Sequence, residues 1–173
     1  MTMTYRVRQG LQALSAFARP PDYGLAARYL SPPLMDVFRQ MRRNEQLHSL
    51  NVLRTLLQAG DPPRALAVAA LLHDSGKSRY PLGVWQKTYA VILRRLFPHL
   101  FERLSGGDPR HPLIRPFVVY VHHPDWSAEL MTAAGASPDA IWLAAQHQEN
   151  RTHWRNHELF HLLERLQQAD DAN

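Results

Sequence analysis

Six side chains of the kind that hold metal ions lie in order along the chain: His48, the adjacent pair His73 and Asp74, His123, His147 and Asp170. The chain has no cysteine, so thiolate ligands and disulfides are excluded and any metal must be held by imidazole nitrogen and carboxylate oxygen. The steps from His48 to His73, from His123 to His147 and from His147 to Asp170 are all twenty-odd residues. Each is about one helix plus a connection, so separate helices could aim these groups at a common point. His73 and Asp74, about 100° apart on a helix, cannot share one helical face, but a metal at a helix end can take both.

The elements that must position these groups read as helices throughout. Apolar residues recur at spacings of three and four, and no run of alternating β-branched residues stands out. An all-α fold follows: one compact helical bundle in which short helices of residues 1–44 pack on a domain of residues 45–173. Pro20-Pro21, Pro32-Pro33 and Pro62-Pro63 mark boundaries, since proline suits a first turn and breaks an interior. A helix from about Arg43 to Ala59 carries His48 and stops at Gly60. Asp61 and Pro62 read as N-cap and first residue of an alanine-rich helix that delivers His73 and Asp74 and ends at Gly76.

Residues 82–104 fit two helices or one helix kinked at Pro98, either a packing hairpin or a basic amphipathic segment lying on a membrane surface. The stretch Ser105 to Pro112 reads as a flexible loop. Arg115 to His123 forms a short apolar element stopped by Pro124, followed by a helix from Trp126 to Ala134 that ends at Gly135. Ser137-Pro138 opens a helix to His147, and a last helix runs from about His157 to Asp170. On that helix Asp170 follows Leu166, Leu163 and Leu159 by four, seven and eleven residues, which turns it inward, whereas Asp171 follows Gln167 and Glu164. Periodicity does not separate His122 from His123.

The run LLHDSGK, Leu71 to Lys77, resembles the signature of the HD superfamily of metal-dependent phosphohydrolases, all-helical proteins named for their His-Asp pair. The resemblance covers about residues 45–171, and the late pair Ala169-Asp170 agrees with it. HPDWSAELM, from His123 to Met131, looks like the His-Pro step of dinuclear members and favours His123 over His122; His147, in LAAQHQE, matches their further histidine. The family resemblance implies two divalent metal ions, Mn or Fe first and Co, Ni, Zn or Mg also compatible, held by His48, His73, Asp74, His123, His147 and Asp170. Asp74 would bridge them, Lys77 would steady substrate phosphate, and a metal-activated water would hydrolyse a phosphomonoester or phosphodiester. Arg79 and Arg151 could add anion contacts. His99, His111, His153, His157 and His161 match no family position.

The expected partner is a small anionic phosphorylated substrate, a nucleotide among the candidates. The formal net charge of +5 favours anions and rests on arginine, because Lys77 and Lys87 are the only lysines. No nucleic-acid-binding motif accompanies it. No stretch approaches the ~20 apolar residues of a membrane span and the N-terminus lacks a signal-peptide core, so the expected location is the cytoplasm. The same ligand order also resembles HD-type diiron oxygenases, and a non-catalytic HD scaffold is a third reading, one that predicts eroded ligands. No GYP signature is present. Neither substrate identity nor oligomeric state is readable from the sequence.

Overall fold

Proline and glycine set most of the helix boundaries in the computed structural model, which describes residues 20–173. The extension before Pro20 lies outside the described residues. The described residues form nine α-helices and no strand: α1 (Tyr23–Ala27), α2 (Pro32–Gln40), α3 (Arg43–Gln58), α4 (Arg64–Leu72), α5 (Val84–Leu96), α6 (Pro98–Ser105), α7 (Arg115–Ala133), α8 (Pro138–Gln146) and α9 (Phe160–Asp171). Single 3-10 turns at Ser75–Arg79 and Arg151–Trp154 follow α4 and α8. Gly60 (φ +134°) and Gly135 (φ +75°) end α3 and α7 in backbone conformations that a side chain disfavours. Ser137 caps α8 by accepting the Ala140 N–H.

Three boundaries depart from the sequence reading. α4 begins at Arg64, after both prolines, with Pro63 rather than Asp61 flanking it in extended conformation. It ends at Leu72, and Gly76 belongs to the 3-10 turn beyond. α7 runs unbroken through Pro124, because the missing N–H leaves one carbonyl free and a side chain takes it up, as described below. The 82–104 segment is two helices, separated at Phe97 with Pro98 opening the second.

The main core joins α1 and α2 (Ala26, Leu34, Phe38) to α3 (Leu50, Leu53), the alanine-rich α4, α8 (Leu143) and α9 (Leu163, Leu166). The many alanines of α4 let its neighbours approach closely from several sides. A second cluster, Ala90, Phe101 and Phe117, holds α5 and α6 against α7. The outer face of α5 and α6 leaves Trp85, Ile92, Leu96, Phe97 and Leu100 exposed. No helix among the described residues is long and apolar enough to cross a membrane.

The turn after α4 is pinned to the middle of α7. Ser127 Oγ donates to the His73 carbonyl (2.6 Å) and accepts the Gly76 N–H (2.8 Å). A Cβ on Gly76 would lie 2.2 Å from the His123 carbonyl oxygen and 2.7 Å from the Ser127 nitrogen, both backbone atoms that cannot swing aside. Gly76→Ala should therefore lower stability by about 1–3 kcal/mol in urea unfolding, the usual cost of overpacking, and displace Asp74 with it. An unchanged midpoint would show that α7 does not need this approach.

Candidate metal centre

Three of the six sequence-selected side chains sit where a helix has a spare carbonyl. His73 and His147 are the C-caps of α4 and α8, where the last carbonyls lack intrahelical donors. His73 Nδ1 lies 3.0 Å from the Ala70 oxygen and His147 Nδ1 lies 2.7 Å from the Ala144 oxygen. His123 precedes Pro124, which cannot donate to Tyr120 four residues back; His123 Nδ1 instead sits 3.1 Å from that carbonyl and 2.9 Å from the Val119 carbonyl. A carbonyl only accepts, so each Nδ1 carries the proton and each Nε2 of the neutral ring is a bare lone pair. All three rings are buried.

Those lone pairs converge. His123 Nε2 and His147 Nε2 are 3.3 Å apart and lie 3.2 and 3.8 Å from Asp74 Oδ1. His73 Nε2 is 3.7 Å from Asp74 Oδ2 and 3.5 Å from Asp170 Oδ1, and it has no hydrogen-bond partner although it is buried. His48, from the second turn of α3, reaches Asp170 Oδ1 at 2.8 Å. Asp74 can serve both groups because it has left the helix: His73 keeps helical torsions, whereas Asp74 takes φ −98°, ψ 2° and turns its carboxylate back between the histidines.

Acceptors facing acceptors in a dry interior repel unless a cation lies between them. Two donor sets fit such ions: His48, His73 and Asp74, with Asp170 beside them, and Asp74, His123 and His147. The Nδ1 to carbonyl bonds are the outer contacts that fix tautomer and orientation in metal-binding histidines. The C-termini of α4 and α8 add the negative ends of their helix dipoles. His/Asp groups in an all-helical fold thus form a centre able to bind metal.

The titrating groups respond to the same crowding. Burial, reinforced by His73 and His123, lowers His147 to about 3, and burial lowers His123 against the pull of Asp74. Burial also opposes charge on His73, but Asp74 and Asp170 outweigh it and raise its pKa. Asp74 stays ionised well below the usual carboxylate range: burial opposes this, and Lys77, His73 and His123 together overcome it. Asp170 is lowered through His48 and His73, again against burial.

No protein-family model, curated protein or solved structure matches this chain.

The surrounding groups divide. Lys77 donates to Asp74 Oδ2 at 2.7 Å and is 27% exposed; burial works against its ammonium, but Asp74 and Glu45 raise its pKa. Arg151 lines a cleft of about 350 Å³ shared with His147 and Asp170, and its guanidinium is 3.6 Å from Glu164. Arg79 is engaged by Glu129 at 2.6 Å and lies 5.8 Å from the Trp126 ring centre. His122 stacks on Trp126 instead of joining the cluster. His157 stacks on Trp142 and accepts the Leu159 N–H at the entry to α9.

Several lining residues escaped the sequence reading. Arg94 lines the same cleft and lies 4.6 Å from the centre of the Tyr120 ring. Glu45 is buried and ion-paired with Lys87. The available signals were helical spacing: Glu45 precedes His48 by three residues and Lys87 precedes Arg94 by seven.

Elemental analysis after dialysis against Mn²⁺ should find two ions per chain, one in His48→Ala or His147→Ala, and none in Asp74→Ala. Metal-free protein should also lose thermal stability as pH falls from about 6.5 toward 4. Lowered His147 and His123 make the unfolded chain the better proton binder across that window, whereas the stabilisation from raised His73 is already in place below its unfolded pKa and stays nearly constant there. Below about 4 the lowered Asp74 and Asp170 add to the fall. A melting temperature flat from pH 7 to 4 would contradict this assignment.

Proposed function

We propose that the chain is a dinuclear HD-type phosphohydrolase, cleaving a phosphomonoester or phosphodiester with water. The observation that carries the reading is the position of Asp74: one oxygen faces His123 and His147, the other faces His73, and the Lys77 ammonium touches it. Paired cations need an anion between them, and phosphate esters need positive charge beside the phosphorus centre. Divalent cations held by these ligands would supply the Lewis-acid charge that makes water acidic and neutralises phosphate oxygens.

The protein's own groups account for the rest. His123 and His147 stay neutral because burial disfavours their cations, so they remain available as donors at working pH. Asp74 stays ionised, which keeps the shared carboxylate in place. Lys77 stays protonated and partly exposed, so its Nζ can turn from Asp74 to a phosphate oxygen and hold the ester against the cluster. Arg151 and Arg94, on the 350 Å³ cleft, give a phosphorylated substrate further cations to approach.

With Mn²⁺ or Fe²⁺ the purified protein should release phosphate from simple monoesters, or alcohol from diesters. Asp74→Asn should reduce kcat by about a hundredfold or more, and Lys77→Ala should lower kcat/KM about ten- to a hundredfold through lost charge-assisted contact. Absence of hydrolysis with Mn, Fe, Co, Ni, Zn and Mg would overturn the reading, and oxygen consumption by the iron form would replace it with oxygenase chemistry.

A further inference from the structure

A second cavity, of about 170 Å³, touches the cluster through Lys77 and His123 and shares Tyr120 and Gln148 with the polar cleft. Most of its wall is apolar: Leu82, Ala90, Val91, Pro116 and Val119, from the turn before α5, α5 itself and α7. We propose that this cavity binds a small apolar group, of the size of a benzene ring or a branched alkyl chain, carried by the substrate. The substrate class then becomes a phosphate ester of a small hydrophobic alcohol. That second step rests on the phosphohydrolase reading; the affinity of the cavity for an apolar group does not.

Size, chemistry and position agree. An apolar cavity of ~150 Å³ accommodates benzene, so about 170 Å³ has room for one six-membered ring. Lys77 and Lys87 both reach the cavity and each is ion-paired, to Asp74 and to Glu45; Lys77 is the one that also touches the cluster, which places its ammonium to hold a phosphate there. Gln148 and Tyr120 complete the polar inventory of the wall. A nucleobase would bury several ring nitrogens and exocyclic groups against the aliphatic wall, each costly without a partner. Tyr120 is held in place edge-on to Phe101 at 5.4 Å with Arg94 over its ring, so one wall is fixed.

A phosphate steadied by Lys77 beside His123 therefore directs its ester oxygen toward this apolar space. Hydrolysis breaks the bond between phosphorus and that oxygen. Water supplies the oxygen that stays on phosphorus and the proton that leaves with the alcohol, giving the hydrophobic alcohol and inorganic phosphate with no other reactant.

The test is calorimetric titration of the Mn²⁺-loaded full chain with phenylphosphonate and methylphosphonate, beside kinetics on phenyl phosphate and glycerol phosphate. Phenylphosphonate should bind about tenfold or more tightly than methylphosphonate, reflecting the buried ring. Val91, 60% exposed, tolerates substitution, so Val91→Asp should fold and shrink that ratio at least about fivefold; Val91→Trp, which adds bulk at the cavity wall, should shrink it too. Equal affinity for the two phosphonates, or a ratio untouched by both variants, overturns the apolar site. A preserved phenylphosphonate preference without hydrolysis of phenyl phosphate supports the site and overturns the phosphohydrolase reading alone. Hydrolysis that favours glycerol phosphate overturns the proposed substrate class.

Discussion

A backbone carbonyl that loses its helical N–H must find another donor, and in this protein that demand shapes the centre of the molecule. Two helices end and one helix carries a proline where the freed carbonyls face inward, and a histidine Nδ1 meets the demand each time. The consequence lies on the other side of each ring. Three buried Nε2 lone pairs and two carboxylates, Asp74 buried and Asp170 at the edge of the cleft, are left facing one another. Such an arrangement is coherent only around positive charge, to which the Lys77 ammonium contributes.

The scaffold is organised to hold that arrangement. α4 is surrounded because its alanines leave room for neighbours, so its C-terminal end is buried and its His-Asp pair with it. Gly76 and Ser127 then fix the following turn against α7 at a distance no other residue at position 76 permits. The proline in α7 and the close approach at Gly76 fall within four residues of His123, so helix geometry and ligand geometry are set by the same contacts.

Much of the helical architecture was legible, and the reasons are local. Gly60, Gly135, Ser137 and Pro98 act through their own torsions and hydrogen bonds, which sequence exposes directly. The inward turn of Asp170 followed from its spacing to Leu163 and Leu166, since that stripe is the core side of α9. Pro124 misled because a helix tolerates an interior proline more readily when the freed carbonyl finds another donor, and here that donor is the ring of His123. Arg79 shows the limit for surface charge: its position beside Lys77 says nothing of Glu129 on another helix. The apolar cavity was invisible, because its walls come from residues more than thirty positions apart and none is unusual alone.

The proposed dinuclear centre would place Asp74 between two cations, each completed by its own histidines. A crystal of the full chain soaked in Mn²⁺ and measured for anomalous scattering tests it directly. Two peaks about 3.5–4 Å apart, one on the His73 side and one on the His123–His147 side of the Asp74 carboxylate, are the predicted result. A single peak, or peaks that avoid Asp74, would contradict the account.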